Sequence, residues 1–419
     1  MAQKKYEVIV VGGGTGGIMI ASQLKRRDKD IEIALIEPSK IHYYQPAFTL
    51  VGAGTYKMKN TMRSTKKYIP EGVEWLQDWV VAVDAKNKQV KTEKLGSLSY
   101  DYLILSPGLV YDNSLIEGLD EALDKGVVCS NYIDPEYTWE SLQKFQGGNM
   151  IFTLPATPIK CGGAPQKAMY LSADYIRKKG LKDTTNIIFP TPGSVVFGVA
   201  EIAKTLNNVL DRYDVHFKPR YTPVKIDSNE KIVYFQYGLN KKEDVILEER
   251  ILKERWSDDE LIAIPFDFLH IAPPSVAPDF IRKSDLTNKD GWVDVNIHSL
   301  QHKKYETVFA LGDVAALPTA KTGAAIRKQV PVIVDNIMEL RKGAGIINYD
   351  YDGYSSCPLV TGYNKMVLAE FNYNNEFTPD SMLKWMLIKD SSKEDIRLWW
   401  LKKYLLPFMY WNRMLKGKM

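Results

Sequence analysis

The sequence predicts an α/β chain of two Rossmann-like units followed by a C-terminal region of amphipathic helices. Three observations predict it. Glycines at G-x-G-x-x-G spacing follow a β-branched strand near the start; Gly312-Asp313 follows another strand far downstream; and beyond residue 380 the chain turns apolar, aromatic and basic at once.

The opening stretch, YEVIVVGGGTGGIMIASQL, orders the rest. Val8 to Val11 reads as a strand buried on both faces, and Ile18, Ile20, Ala21 and Leu24 as a helix. Between them Gly12 permits a tight turn, Gly14 lets a pyrophosphate approach the backbone, and Gly17 lets helix and strand pack closely. The anion then meets free N–H groups at the helix N-terminus. The next strand ends at Glu37, about 20 residues on, where an acid reaches ribose hydroxyls. A bound dinucleotide is the expectation.

Bulk properties narrow the class. The chain has 419 residues, 45 % hydrophobic and 25 % charged, ordinary for a globular protein of two or three domains. A net charge of +4 is too small over this length for a nucleic-acid binder. That charge is concentrated: residues 381–419 alone carry nine Lys/Arg against three Asp/Glu. Three cysteines exclude a disulfide scaffold and show no metal-ligand spacing, so no metal is expected. The sequence enters its first strand within a few residues, so no targeting peptide is expected within it, though one removed beforehand would leave the same start; no apolar run is long enough to span a bilayer.

After Glu37 the aromatic loop PSKIHYYQPAFTLVGAG lies where open α/β sheets bind ligands, which points to Gln45. Val73 to Val83 alternates like a small antiparallel excursion, and Val81 in it is assigned to the cofactor site. SYDYLILSPG returns to the main sheet and ends in a turn at Gly108. This order is similar to that of the two-dinucleotide-binding-domain flavoproteins, which complete their first domain late with a strand and Gly-Asp. The resemblance implies FAD, with Gly312, Asp313, Lys321 and Thr322 at its ribityl chain and ring. A helix N-terminus at the ring favours the negative charge of a reduced flavin. The expected domains are 1–110 with 271–350 for FAD, 111–270 as the second Rossmann-like unit, and 351–419 as the tail. In the second unit PTPGSVVFG stands where a reductase keeps its second glycine fingerprint, and proline offers phosphate no N–H. The electron donor is therefore not expected to be a nicotinamide.

Cys161 follows a strand and precedes a helix, and Cys357 lies in DGYSSCPLVTGY. A thiolate near a helix N-terminus is reactive, and two sulfurs beside a flavin can take up a sulfur nucleophile and pass on two electrons. Cys129, with an apolar flank, reads as a buried bystander. Lys167 is placed to favour sulfur anions, and His42 reads as a structural histidine.

Here the chain resembles the sulfide:quinone oxidoreductases, in the subgroup that includes the mitochondrial enzyme. The residues that carry this are IEPSKIHYYQPAFTLVGAG, PIKCGGAPQKAMYLS, LGDVAALPTAKTGAA, YDGYSSCPLVTGYNKMVLAEF and LPFMYWNRML. The resemblance implies that Cys161 and Cys357 bridge a sulfane sulfur. Hydrogen sulfide attacks the bridge, leaving a persulfide on Cys357 for a sulfane-sulfur acceptor. The sulfur on Cys161 adds to flavin carbon 4a, and reduced FAD passes its electrons to a quinone. No motif marks a covalent attachment, so non-covalent FAD is expected. The alternatives are a type II NADH:quinone dehydrogenase, or a non-turnover flavin-dependent sulfur carrier or sensor.

In the tail, SMLKWMLIK and IRLWWLKKYLLPFMYWNRML contain Trp385, Trp399, Trp400 and Trp411, with Arg397, Lys402, Lys403, Arg413 and Lys416 placed to meet anionic lipid. Pro407 is expected to break the second segment into short in-plane helices. A peripheral membrane protein is expected, on the cytoplasmic face of a bacterial membrane or, if a presequence was removed, on the matrix face of the mitochondrial inner membrane. Pro358, Leu359, Tyr363, Phe408 and Trp411 are the expected quinone-pocket residues. A homo-oligomer is compatible with this reading.

Overall fold

The computed structural model describes residues 4–238, 245–380 and 388–419. The β-branched opening forms the strand Lys5–Val11, flanked in parallel by Ile33–Ile36 and Ser97–Leu105. All four residues of Ile33–Ile36 are buried, as a central strand covered on both faces requires. Val308–Ala310 pairs in parallel with Leu103–Leu105, so a strand from late in the chain completes the first sheet. Val73–Val83 is not one antiparallel excursion. Val73–Leu76 joins the sheet in parallel beside Ile33–Ile36, and only Val80–Asp84 turns back against Gln89–Thr92.

Two glycines fix how the first helix, Thr15–Arg27, meets its strand. Gly12 has φ +96°, and a Cβ there would lie 2.3 Å from the Ser106 carbonyl oxygen. A Cβ on Gly17 would lie 1.7 Å from the Gly12 carbonyl oxygen. Only hydrogen fits at either place.

A second, four-stranded parallel sheet runs Val215–Pro219, Thr185–Thr191, Gly148–Phe152, Phe268–His270. Between its last two strands in sequence the chain builds a separate antiparallel sheet from Tyr221–Asp227, Ile232–Tyr237, Ile262–Pro265 and Arg255–Trp256. The sequence reading of a plain Rossmann-like unit over 111–270 did not anticipate that insertion. The helix Ala164–Lys179 packs against the hairpin Ser355–Gly362/Lys365–Phe371, and this packing brings the two cysteine segments together.

Pro407 does not break the tail. The helix runs on through it, α-helical at Ile396–Trp400 and Leu406–Met409 and widened to π geometry at Leu401–Leu405 and Tyr410–Met414. The wider turns relieve the clash a proline ring makes with the preceding turn. Leu398, Trp399 and Leu401 pack on the hairpin's Val360, Met366 and Leu368, while Tyr410, Trp411, Met414 and Leu415 join the core of the first domain. Ile396, Trp400, Tyr404 and Phe408, four apart, remain on the outer face, with Phe408 58 % exposed. Trp385 and residues 381–387 of the first tail segment lie outside the described residues. No described helix is long and apolar enough to cross a membrane.

Gly17→Ala is expected to destabilise the fold by about 3 kcal/mol or more, because the extra methyl meets backbone rather than a movable side chain. Urea unfolding followed by tryptophan fluorescence would measure it.

Candidate functional site

A cavity of about 590 Å³ runs from the glycine loop at Gly12–Gly16 and Glu37, past Gly108 and Gly312-Asp313, to Lys321 and Thr322 and on to Cys161 and Lys167. Gly17 lies behind it, as its packing role requires. Glu37 is held by two backbone donors, Gly13 N at 2.7 Å and Ser39 N at 2.7 Å. Burial nonetheless holds its carboxyl above the ordinary range, against those bonds. A flavin dinucleotide fits this wall. A Cβ on Gly14 would meet nothing within 4 Å, and the Thr15–Arg27 helix has no side-chain cap, leaving its first N–H groups to a ligand.

The far end gathers charge. Asp313 is half-buried on the cavity wall, and its carboxyl is raised by desolvation, which Lys160 and Lys321 oppose. Lys321 donates to the Asp313 and Ala315 carbonyls and lies 4.0 Å from the Trp292 ring centre; burial pulls its ammonium down to about 8. Thr322 accepts from Ala325 N, capping the helix Gly323–Leu340, and its hydroxyl meets Ser355 at 2.8 Å. Its side chain is thus spent on the helix and hairpin. Gln45 accepts from Lys160 at 3.1 Å.

Cys161 has φ +51°, a left-handed conformation rare outside glycine, fixed by its N–H donating to the Lys321 carbonyl at 2.7 Å. There its sulfur lies 3.6 Å from that of Cys357, 196 residues away, and 2.9 Å from Lys167 Nζ. Both cysteines are free thiols. Lys167 is 3 % exposed. Burial alone would lower its pKa, but the sulfur charge outweighs that and holds the ammonium charged. The hydrogen bond with Cys357, and Lys167 beside it, pull Cys161 well below the usual thiol range, while the same bond and burial push Cys357 up. Cys129 stands apart, buried, its thiol facing the Leu269 carbonyl and pushed up to about 12 by burial.

Two assignments are corrected by these positions. Val81 sits on the outermost strand of the first sheet, 45 % exposed, and does not line the cavity. Lys402 does not face lipid: it is 3 % exposed, lines the cavity and donates to the Pro46 carbonyl. Burial, and then the charge of Lys167, lowers its pKa to about 7.

Of the five quinone-pocket residues only Pro358 lines the cavity. Leu359 follows Cys357's neighbour on the opposite strand face, against the position of Gly163. Tyr363 donates to the Ala53 carbonyl and packs on Trp399; Trp411 is buried among His42, Tyr68 and Tyr410; Phe408 faces outward. Sequence reasoning missed Ser356, Leu368, Glu370, Leu406 and Met409, all on the cavity wall. Strand alternation from Pro358 would have found the first, but the others needed the hairpin register and the helix rotation. His42 lines the cavity and joins the tail to the glycine loop: Nδ1 meets the Gly13 carbonyl at 3.2 Å and Nε2 the Tyr410 hydroxyl at 2.6 Å.

Lys167→Met is expected to remove the charge that keeps Cys161 ionised. In the reduced protein, Cys161 alkylation by iodoacetamide should stay fast well below the ordinary thiol pKa and decline only there. In the variant that decline should move up by about one pH unit or more, as a rate-against-pH series would show.

Residues 6–144 match the family model described as pyridine nucleotide-disulphide oxidoreductase. The mitochondrial sulfide:quinone oxidoreductase of Mus musculus is 40 % identical over 99 % of this chain and 88 % of its own. The corresponding Dictyostelium discoideum protein is 37 % identical over 98 % and 86 %. The solved sulfide:quinone oxidoreductase of Aquifex aeolicus shares the fold, with a TM-score of 0.74 at 17 % identity over 99 % of this chain and 92 % of that one. A full-length likeness at that identity, carried by a fold with paired thiols at one end of a dinucleotide cleft, makes the chain a member of the sulfide:quinone oxidoreductase family.

Proposed function

We propose that the protein oxidises hydrogen sulfide to sulfane sulfur on Cys161 and Cys357 and passes two electrons, by way of FAD, to a quinone. The observation that carries this is the pair of sulfurs 3.6 Å apart beside a buried lysine at the wall of the cleft. With S–S bonds near 2.05 Å, a bridge through one extra sulfur spans roughly 3.3 Å, close to that separation.

The residues then divide the work. Sulfide as HS⁻ forms an S–S bond at the Cys357 end of the bridge, and the bond toward the Cys161 sulfur breaks. The electron pair stays on the Cys161 side as a persulfide anion, where the Lys167 ammonium stabilises it. The sulfur added at Cys357 is now at the sulfane level and is removed by an acceptor thiolate; the freed Cys357 thiolate closes the bridge on the Cys161 persulfide only as two electrons leave for the flavin. Gly12, Gly14, Glu37, Gly108, Gly312 and Asp313 line the part of the cavity that would hold FAD, which when bound would supply two-electron transfer between sulfur and quinone. Its binding is read as non-covalent. Cys161 and Cys357 are committed to each other and Cys129 is buried against Leu269, so no thiol is left to hold a flavin.

The outer stripe of Ile396, Trp400, Tyr404 and Phe408, with Lys403, Arg397 and Arg413 nearby in sequence, suits the headgroup boundary of a membrane. Leu406 and Met409 of the same helix line the cavity, so a lipid-soluble quinone entering from that surface meets apolar wall first.

The purified protein should be yellow, bleach on anaerobic addition of sulfide, and recolour with a short-chain quinone, while NADH leaves it coloured. Cys161→Ser and Cys357→Ser should each abolish bleaching; bleaching that survives both refutes the assignment. Acid precipitation should leave the flavin in the supernatant. Replacing Trp400, Tyr404 and Phe408 together by serine should weaken binding to anionic vesicles about tenfold or more, measured by co-sedimentation.

A further inference from the structure

The hairpin that carries Cys357 has a second face. Side chains alternate along Ser355–Gly362, and Ser356 and Pro358 line the cavity while Cys357 turns toward the Ala164–Lys179 helix. Across the hairpin Ser356 pairs with Glu370 and Pro358 with Leu368, and both partners line the cavity too. One hairpin face is thus an apolar step, Pro358 and Leu368, ending in a serine and a carboxyl. A ring with polar oxygens at its edge fits that pattern; a sulfur anion does not.

Glu370 is 1 % exposed. Its Oε1 accepts from the Tyr354 hydroxyl at 2.6 Å and its Oε2 from Asp380 N at 3.1 Å. Arg327, on the Gly323–Leu340 helix, donates to the same hydroxyl at 3.1 Å and lies 3.8 Å from the Asp380 carboxylate. Lys328 Nζ sits 5.6 Å from the Tyr354 ring centre. The Arg327 and Asp380 side chains are each 28 % exposed, so the chain of groups leads from a buried acid to solvent. Burial holds the Glu370 carboxyl above its ordinary range, against the bonds from Tyr354 and Asp380.

We propose that Glu370 is the proton donor to the quinone, and that Tyr354 returns the proton to it from the surface beside Arg327 and Asp380. This rests on the sulfide-to-quinone reading above. Sulfide, an acceptor thiol and quinone give a persulfide and a quinol. Two protons leave with the sulfur nucleophiles, and two arrive on the quinone oxygens. One new O–H bond takes the Glu370 proton and leaves a carboxylate; the Tyr354 hydroxyl gives its proton to that carboxylate as it takes another from water. The second quinol proton comes from water at the cavity mouth.

The two half-reactions separate the possibilities. Glu370→Gln keeps the shape and the bond from Tyr354 but has no proton to give. It should bleach with sulfide at the wild-type rate, recolour with a short-chain quinone at least tenfold more slowly, and recolour normally with ferricyanide, which takes electrons without protons. Tyr354→Phe should slow only the quinone step as well. Infrared difference spectra should show a protonated carboxyl band in the wild type that Glu370→Gln lacks, a readout independent of turnover. Wild-type recolouring by quinone, equal slowing with ferricyanide, or no such band would each overturn the role of Glu370. Wild-type protein that does not bleach with sulfide would instead overturn the underlying activity.

Discussion

An ammonium taken out of water must find a negative charge, and at Lys167 the charge it finds is sulfur. Among the described residues no carboxylate bonds to it. The cheapest way to satisfy a buried lysine here is to keep Cys161 ionised, and the left-handed turn at Cys161 holds the sulfur where that is possible. The turn is fixed in its place by Lys321 from the first domain, the partner thiol comes from the hairpin, and the lysine comes from the second domain. Three parts of the chain therefore have to fold correctly before any one sulfur becomes reactive.

What the sequence made legible was whatever depends on local chemistry. Gly12 and Gly17 stand at the fixed spacing where a side chain would strike backbone, Gly14 opens onto the cavity, and the strand just before Gly312-Asp313 returns to the first sheet. Cys161 and Cys357 stood out because of their flanking glycines and proline, and Lys167 because it is one helical turn past Cys161's own loop. Residues whose role depends on rotation or register were misjudged. Lys402 and Lys403 are adjacent and equally basic, yet helix phase puts the first into the cavity. Leu359 was grouped with Pro358 although consecutive strand residues face opposite ways. Val81 and Pro407 failed for a third reason: sheet order and π-turn relief are decided by tertiary packing.

The hairpin of Cys357 does two jobs because a strand has two sides. Toward the helix it presents a thiol and Leu359; toward the cavity it presents Pro358 and Ser356. The hairpin thereby keeps its thiol and its cavity-lining residues one position apart in sequence on opposite faces, while Cys161 and Lys167 reach the cavity from the helix side.

The grip of Tyr410 on His42 and Thr15 has a consequence for assembly in the cell. Gly12–Gly16 emerge from the ribosome first, while Met414 and Met419, which wall the same cavity, emerge about 400 residues later, a delay of roughly 20–80 s at ordinary elongation rates. During that interval the nucleotide cradle has its floor and no roof. Completion of that cradle waits on the tail helix, and a chain stalled before Tyr410 would leave its glycine loop open to solvent.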